Sequence, residues 1–185
     1  MTTTTIFIAG SMNIKNLDPK VTDRIDTIVD SGFSVVVGDA DGVDTSIQDY
    51  LHLKCADLVT VYCSGETPRN NVGNWPLATI STSAAPGTRA FFTAKDVAMA
   101  RVADYGLMIW DAKSPGTLSN VIELLARGKK SYVFVNKEKT FKAVGDVKQL
   151  DELVKFMSEH ARNKADEKIR LTEKIDALRH EPMHA

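Results

Sequence analysis

A chain of 185 residues is long enough to enclose one substantial core with some tail to spare. Its 23 basic and 24 acidic side chains leave a net charge of −1, which carries no footprint for nucleic acid and no polybasic membrane patch, so a small ligand or a protein partner is the expectation. Cys55 and Cys63 lack metal-ligand spacing and disulfide density, and no apolar run is long enough for a membrane span or an export signal, so a cytoplasmic protein is expected.

Short apolar runs alternate with helical patterns along the chain, the signature of a parallel sheet covered by helices. Strands are predicted over 6–9, 34–37, 58–62, 106–110 and 131–135. The first helix starts after Asp18-Pro19, a cap followed by Pro at the first helical position; Val21, Ile25, Ile28 and Val29 recur at helical spacing, and Gly32 ends it. Further helices are expected over 43–55, 93–103 and 118–127. Between Cys63 and Phe91 the periodicity fails among Gly, Pro, Asn and Ser, which reads as a functional loop, a lid or a mobile segment whose Arg69 and Trp75 could reach a ligand. The fold class is thus α/β: a Rossmann-like parallel sheet of about five strands flanked by helices, occupying 1–145. Residues 146–185 form a charged C-terminal helical arm with apolar positions at Leu150, Leu153, Val154, Met157, Ile169, Leu171, Ile175 and Leu178, and its last six residues are expected to fray. Either this arm packs with a solvated extension or it serves dimerisation.

Three loops leave carboxyl ends of strands, where open α/β sheets bind ligands. In the first, Gly10 lets a ligand approach the backbone, and Ser11 offers a hydroxyl. The second, Gly38-Asp39-Ala40-Asp41-Gly42-Val43-Asp44, gathers acids that could take a divalent cation, hold ribose hydroxyls or cap the next helix. It lacks the length and spacing of a calcium loop, so no metal is expected. The third, Lys113-Ser114-Pro115-Gly116-Thr117, follows Asp111 and opens a helix, where free N–H groups and the helix dipole favour an anion; Trp110 just before it is core with an edge that could stack a base.

Gly10-Ser11, GDADGVD over 38–44, Lys95-Asp96-Val97-Ala98-Met99 and DAKSPGTLSN over 111–120 together resemble the SLOG superfamily of Rossmann-like nucleotide-binding proteins. Its members include the Lonely Guy phosphoribohydrolases, the DNA-processing protein Smf and sensor domains of antiviral systems. The resemblance covers roughly 5–136. It implies a nucleotide or nucleoside-phosphate ligand, with Gly10 and Ser11 at ribose or phosphate, and Gly38, Asp39, Gly42 and Asp44 bounding the pocket. Ser114, Gly116, Thr117 and Asn120 would line the phosphate, and Lys95 or Lys113 would neutralise it.

The hydrolases of that superfamily carry a Pro-Gly-Gly-x-Gly-Thr-x-x-Glu pattern and an Arg-Lys pair ahead of a Met. Matching at Thr117 puts Asn120 at the Glu position, and matching at Met99 puts Lys95 and Asp96 at the Arg and Lys positions. Asn cannot exchange a proton, so the resemblance implies a binding or sensing module without turnover. An N-glycosidic hydrolase or a (deoxy)ribosyltransferase is the alternative, and would have to use Asp111, Asp44 or Glu123. No G-x-G-x-x-G follows the first strand, which disfavours a nicotinamide dehydrogenase, and no cofactor is implied. Nucleic acid is disfavoured because no basic stripe is evident, and a homodimer or higher homo-oligomer is expected.

Overall fold

In chain order the elements are β1 (Thr5–Gly10), α1 (Pro19–Asp30), β2 (Ser34–Gly38), α2 (Val43–Leu53), β3 (Val59–Ser64), β4 (Leu77–Ile80), α3 (Arg89–Val102), β5 (Tyr105–Trp110), α4 (Pro115–Ala126), β6 (Lys130–Val135), β7 (Thr140–Val144), α5 (Val147–Val154), α6 (Glu159–Ile169) and α7 (Leu171–His180). The structure is a computed structural model that describes residues 3–181; the tail expected to fray thus lies mostly outside the described residues, in 182–185. The strands form one α/β sheet in the order β4-β3-β2-β1-β5-β6-β7, parallel throughout except for β7, which runs antiparallel to β6.

The sheet has seven strands among the described residues, against about five expected. The two additional strands are its edges. β4 is a four-residue piece inside the irregular stretch, directly after Pro76, with Leu77 and Thr79 exposed, so it shows no apolar run. β7 carries Lys142 and is half exposed; it returns from β6 through a turn that ends at Lys139, held at a φ of 52°. The helices begin where local chemistry dictates. The Asp18 carboxylate accepts the Lys20 N–H at 2.9 Å at the head of α1. The Thr88 hydroxyl accepts the Phe91 N–H at 3.2 Å and starts α3 four residues before the apolar spacing predicts.

Alternation along the buried strands divides the core into two. Ile6, Ile8, Val35, Val37, Leu107 and Ile109 face α1 and α2 and pack on Val21, Ile25, Ile47 and Leu51. Phe7, Ala9, Val36, Met108 and Trp110 face the other way, toward Met99 of α3 and Leu118 and Leu124 of α4. The C-terminal arm completes this second layer. It is three helices, turned between α6 and α7 at Arg170 in the left-handed region, and its Leu150, Leu153, Val154, Met157, Ile169, Leu171 and Ile175 lie in the same buried cluster as Trp110. The apolar positions read as a possible dimerisation surface are therefore spent inside the chain. Among the described residues no helix is long and apolar enough to cross a membrane.

After β1 the chain winds to β2, β3 and β4 on one side, then returns to place β5 on the other side of β1. The carboxyl ends of β1 and β5 therefore flank the topological switch point, the crevice where open α/β sheets take ligands.

Candidate functional site

At the end of β1 the backbone of Gly10 runs so close to β5 that a Cβ there would collide with the Ile109 carbonyl oxygen. The missing side chain is thus used by strand packing, not by an approaching ligand. Ser11 follows, fully buried: its N–H donates to the Ile109 carbonyl at 2.9 Å, and its Oγ accepts the Asp111 N–H at 3.1 Å and lies 3.3 Å from Thr117 Oγ1. Ser11, about a hundred residues before Asp111 and Thr117, thus meets both of them at the switch point.

The turn into α4 differs from the free anion seat expected of it. Asp111 Oδ1 accepts the N–H groups of Lys113 at 2.9 Å and Ser114 at 2.7 Å, so two of the turn donors already face a carboxylate of the same chain. That commitment also ties Asp111 to the turn. Trp110 is fully buried and its indole N–H donates to the Ser114 carbonyl at 3.2 Å, so it braces the turn and offers no exposed edge. Beyond Pro115 the surface opens: a Cβ on Gly116 would meet only the Arg89 guanidinium, with Nη2 at 4.0 Å. Asn120 is buried one turn below Thr117. Glu123, near the far end of the helix, is held by Arg127 at 2.8 and 3.1 Å and does not join the switch point.

The acidic turn after β2 is occupied by internal partners. The space where a Cβ of Gly38 would stand is filled by Asp44 Oδ2 at 2.5 Å and Lys95 Nζ at 3.0 Å. Burial pushes the Asp44 carboxyl up to about 6 even though the Lys95 charge pulls it down, and its Oδ2 accepts the Ala40 N–H at 3.2 Å. Burial opposes the Lys95 ammonium, but the Asp96 and Asp44 carboxylates outweigh it and hold that group above the ordinary lysine range; its Nζ donates to Asp96 Oδ1 at 2.9 Å. Asp39 receives the Arg69 backbone N–H at 2.9 Å and the guanidinium Nη2 at 3.0 Å. Gly42, at a φ of 84°, leaves room for the Met12 carbonyl. Among the described residues no group of three or more His, Cys, Asp or Glu is placed to hold a metal ion.

These acids strap down the irregular segment. Asn70 Nδ2 donates to the Asp39 carbonyl at 2.8 Å and to Asp41 Oδ1 at 2.9 Å, while Gln48 bridges the Gly38 carbonyl at 2.9 Å to the Val72 N–H, also at 2.9 Å. Trp75 is buried and its indole N–H donates to the Ala56 carbonyl at 2.8 Å. The first half of the segment is therefore an anchored strap, not a lid, and Trp75 is core. Of Arg69 and Trp75 only Arg69 keeps a partly exposed face, its guanidinium carbon 4.4 Å from the centroid of the Phe92 ring.

Phe91 and Phe92 meet edge to face at 5.3 Å on the first turn of α3, and Arg89 opens that helix. Sequence reasoning passed over these three residues. Arg-Ala-Phe-Phe directly after a capping Thr was the available signal, a cation beside aromatics at a helix start.

No protein-family model and no curated protein matches the sequence. Among solved structures, the chain is similar to DNA processing protein A from Helicobacter pylori, with a TM-score of 0.56 and 15% identity over 91% of this chain and 81% of that one. At that identity the likeness is one of fold, the Rossmann-like sheet with its switch point. That structure is described for its single-stranded DNA binding mode. The finding corrects two expectations: a nucleotide-sensing or N-glycosidic module, and nucleic acid as a disfavoured partner. Net charge is a sum over the whole surface and does not report what stands on one rim, where Arg69, Arg89 and Lys113 all lie.

Proposed function

We propose that this protein binds single-stranded nucleic acid across the carboxyl-end rim of its sheet, passing a phosphate over the open α4 turn and a base beside Phe92. The observation that carries this reading is the Arg89 guanidinium standing over Gly116, at a helix start where backbone donors and the helix dipole favour an anion. Arg69 on the Phe92 ring supplies the other element of single-strand recognition, a cation interleaved with an aromatic face. Within the SLOG resemblance this sets the chain beside the DNA-processing members rather than the hydrolases. A cytoplasmic setting belongs to the same reading, in keeping with the free thiols of Cys55 and Cys63.

Fluorescence anisotropy of a labelled oligothymidylate, against a duplex of equal length and over a range of salt, tests it. The single strand is expected to bind more tightly, with an affinity that falls as salt rises, and Arg89→Ala is expected to weaken it. Phe92→Ala should cost about 1–3 kcal/mol of binding if a base stacks there. Equal or absent binding of single strand and duplex at low salt would overturn the reading.

A further inference from the structure

Charge on the carboxyl-end rim is divided at the switch point. The β2 and β3 side carries Asp39, Asp41, Asp44, Glu66 and Asp96 against Arg69 and Lys95, both of which are paired internally. On the other side, the loops leaving β1, β5 and β6 carry five lysines, at 15, 20, 113, 137 and 139, against Asp18, Asp111 and Glu138. Two of those three carboxylates are committed. Asp18 is paired with Lys139 at 3.0 Å and caps α1, and its carboxyl is held below the usual range first by the Lys20 backbone N–H and then by Lys139. Asp111 closes the α4 turn. Among the described residues Lys15, Lys20, Lys113 and Lys137 are exposed and paired with no carboxylate.

The loops after β5 and β6 and the first turn of α1 form one continuous surface, while Lys15 lies off it, its carbonyl accepting the Ser46 hydroxyl of α2. The Asn136 N–H donates to the Trp110 carbonyl at 2.9 Å, joining the turn after β6 to the end of β5, and Lys20 Nζ donates to the Lys139 carbonyl at 2.8 Å, joining that turn to the start of α1. Neighbouring strands stand about 4.8 Å apart, so the ends of β1, β5 and β6 span about 10 Å.

We propose that this lysine-bearing stretch is a second contact surface for the phosphate backbone of single-stranded nucleic acid, with Lys113 and Lys137 as its phosphate contacts and the strand passing onto it from Phe92 over the α4 turn. The inference rests on the single-strand binding proposed above and gives the bound strand a direction across the molecule. From Phe92 and the α4 turn the strand continues over β5 and β6, because past Arg69 it would face the carboxylates of the acidic turn, where Arg69 and Lys95 are already paired.

The test measures oligothymidylate affinity against salt for the wild-type protein, for the double variant Lys113→Ala/Lys137→Ala, and for the control Lys164→Ala/Lys168→Ala on α6. Lys20 is left in place because its ammonium holds the turn. Each phosphate contact adds about 0.7 to the slope of log affinity on log salt for a single strand, so the double variant is expected to lose about 1.4 from that slope with an unchanged melting temperature. The control is expected to keep the wild-type slope. If the double variant also keeps it while Arg89→Ala weakens binding, the second surface is wrong and the single-strand reading stands. If the wild-type protein binds no single strand, both fall.

Discussion

Asp44 is chemically unusual because of where the fold buries it. Its carboxyl is raised from 3.8 to about 6 chiefly by burial, with Lys95 resisting the shift. A group whose folded value lies above its unfolded value stabilises fully below the unfolded value and loses that contribution as pH rises through the folded one. The window here runs from about pH 4 to somewhat above pH 6. Asp44→Asn removes the titration, so denaturant unfolding should show the wild-type protein losing stability relative to the variant across that window, by on the order of 2–3 kcal/mol. A difference between the two that is constant with pH would show that the carboxyl is not held up by burial. Two glycines that look alike in sequence should behave oppositely. Gly10→Ala drives a Cβ into the Ile109 carbonyl of the adjacent strand and should cost about 1–3 kcal/mol in thermal or chemical unfolding, whereas Gly116→Ala enters open space beneath Arg89 and should be tolerated.

At the scale of elements, the α4 turn is the proposed phosphate seat and carries its own competitor. Asp111 accepts two turn N–H groups and keeps a negative charge beside the path proposed for a phosphate. Asp111→Asn retains an acceptor oxygen for those donors and removes the charge. It should leave the melting temperature almost unchanged and raise single-strand affinity several-fold, read by the same anisotropy titration. Asp111→Ala removes the acceptor as well and should cost about 1 kcal/mol of stability. The turn was legible in the sequence as a strand end followed by Pro and Gly at a helix start, because those residues act through local backbone geometry. Its occupancy by Asp111 was not, since a carboxylate two or three residues back can face the turn or solvent, and only the packed turn decides between them. Arg89 was missed for a similar reason. The first turn of α3 is set by the Thr88 cap rather than by apolar spacing, and the overlap of that turn with α4 exists only once the two helices lie side by side.

For the whole molecule, the arm from α5 to α7 belongs to the fold. Its apolar residues pack on α4 and β7 and join the buried cluster that holds Met108, Trp110 and Val133, and each buried leucine or isoleucine contributes about 1.5–3 kcal/mol. A chain truncated after Gly145 should therefore lose its cooperative unfolding transition, and a truncated protein that melts as sharply as the full chain would contradict that account. Residue order alone was enough for the α/β class, the five inner strands, the first helix with its cap and the rim that carries the loops after β1, β2 and β5. These follow from short-range patterns: buried strands read as apolar runs, caps act within a few residues, and alternating strands and helices force a parallel sheet. Tertiary structure alone decided the edge strands, the conversion of the acidic turn into an anchor for the irregular segment, the internal use of the arm and the division of charge at the switch point. Each of these depends on which distant residue stands opposite, and neither period nor composition carries that information.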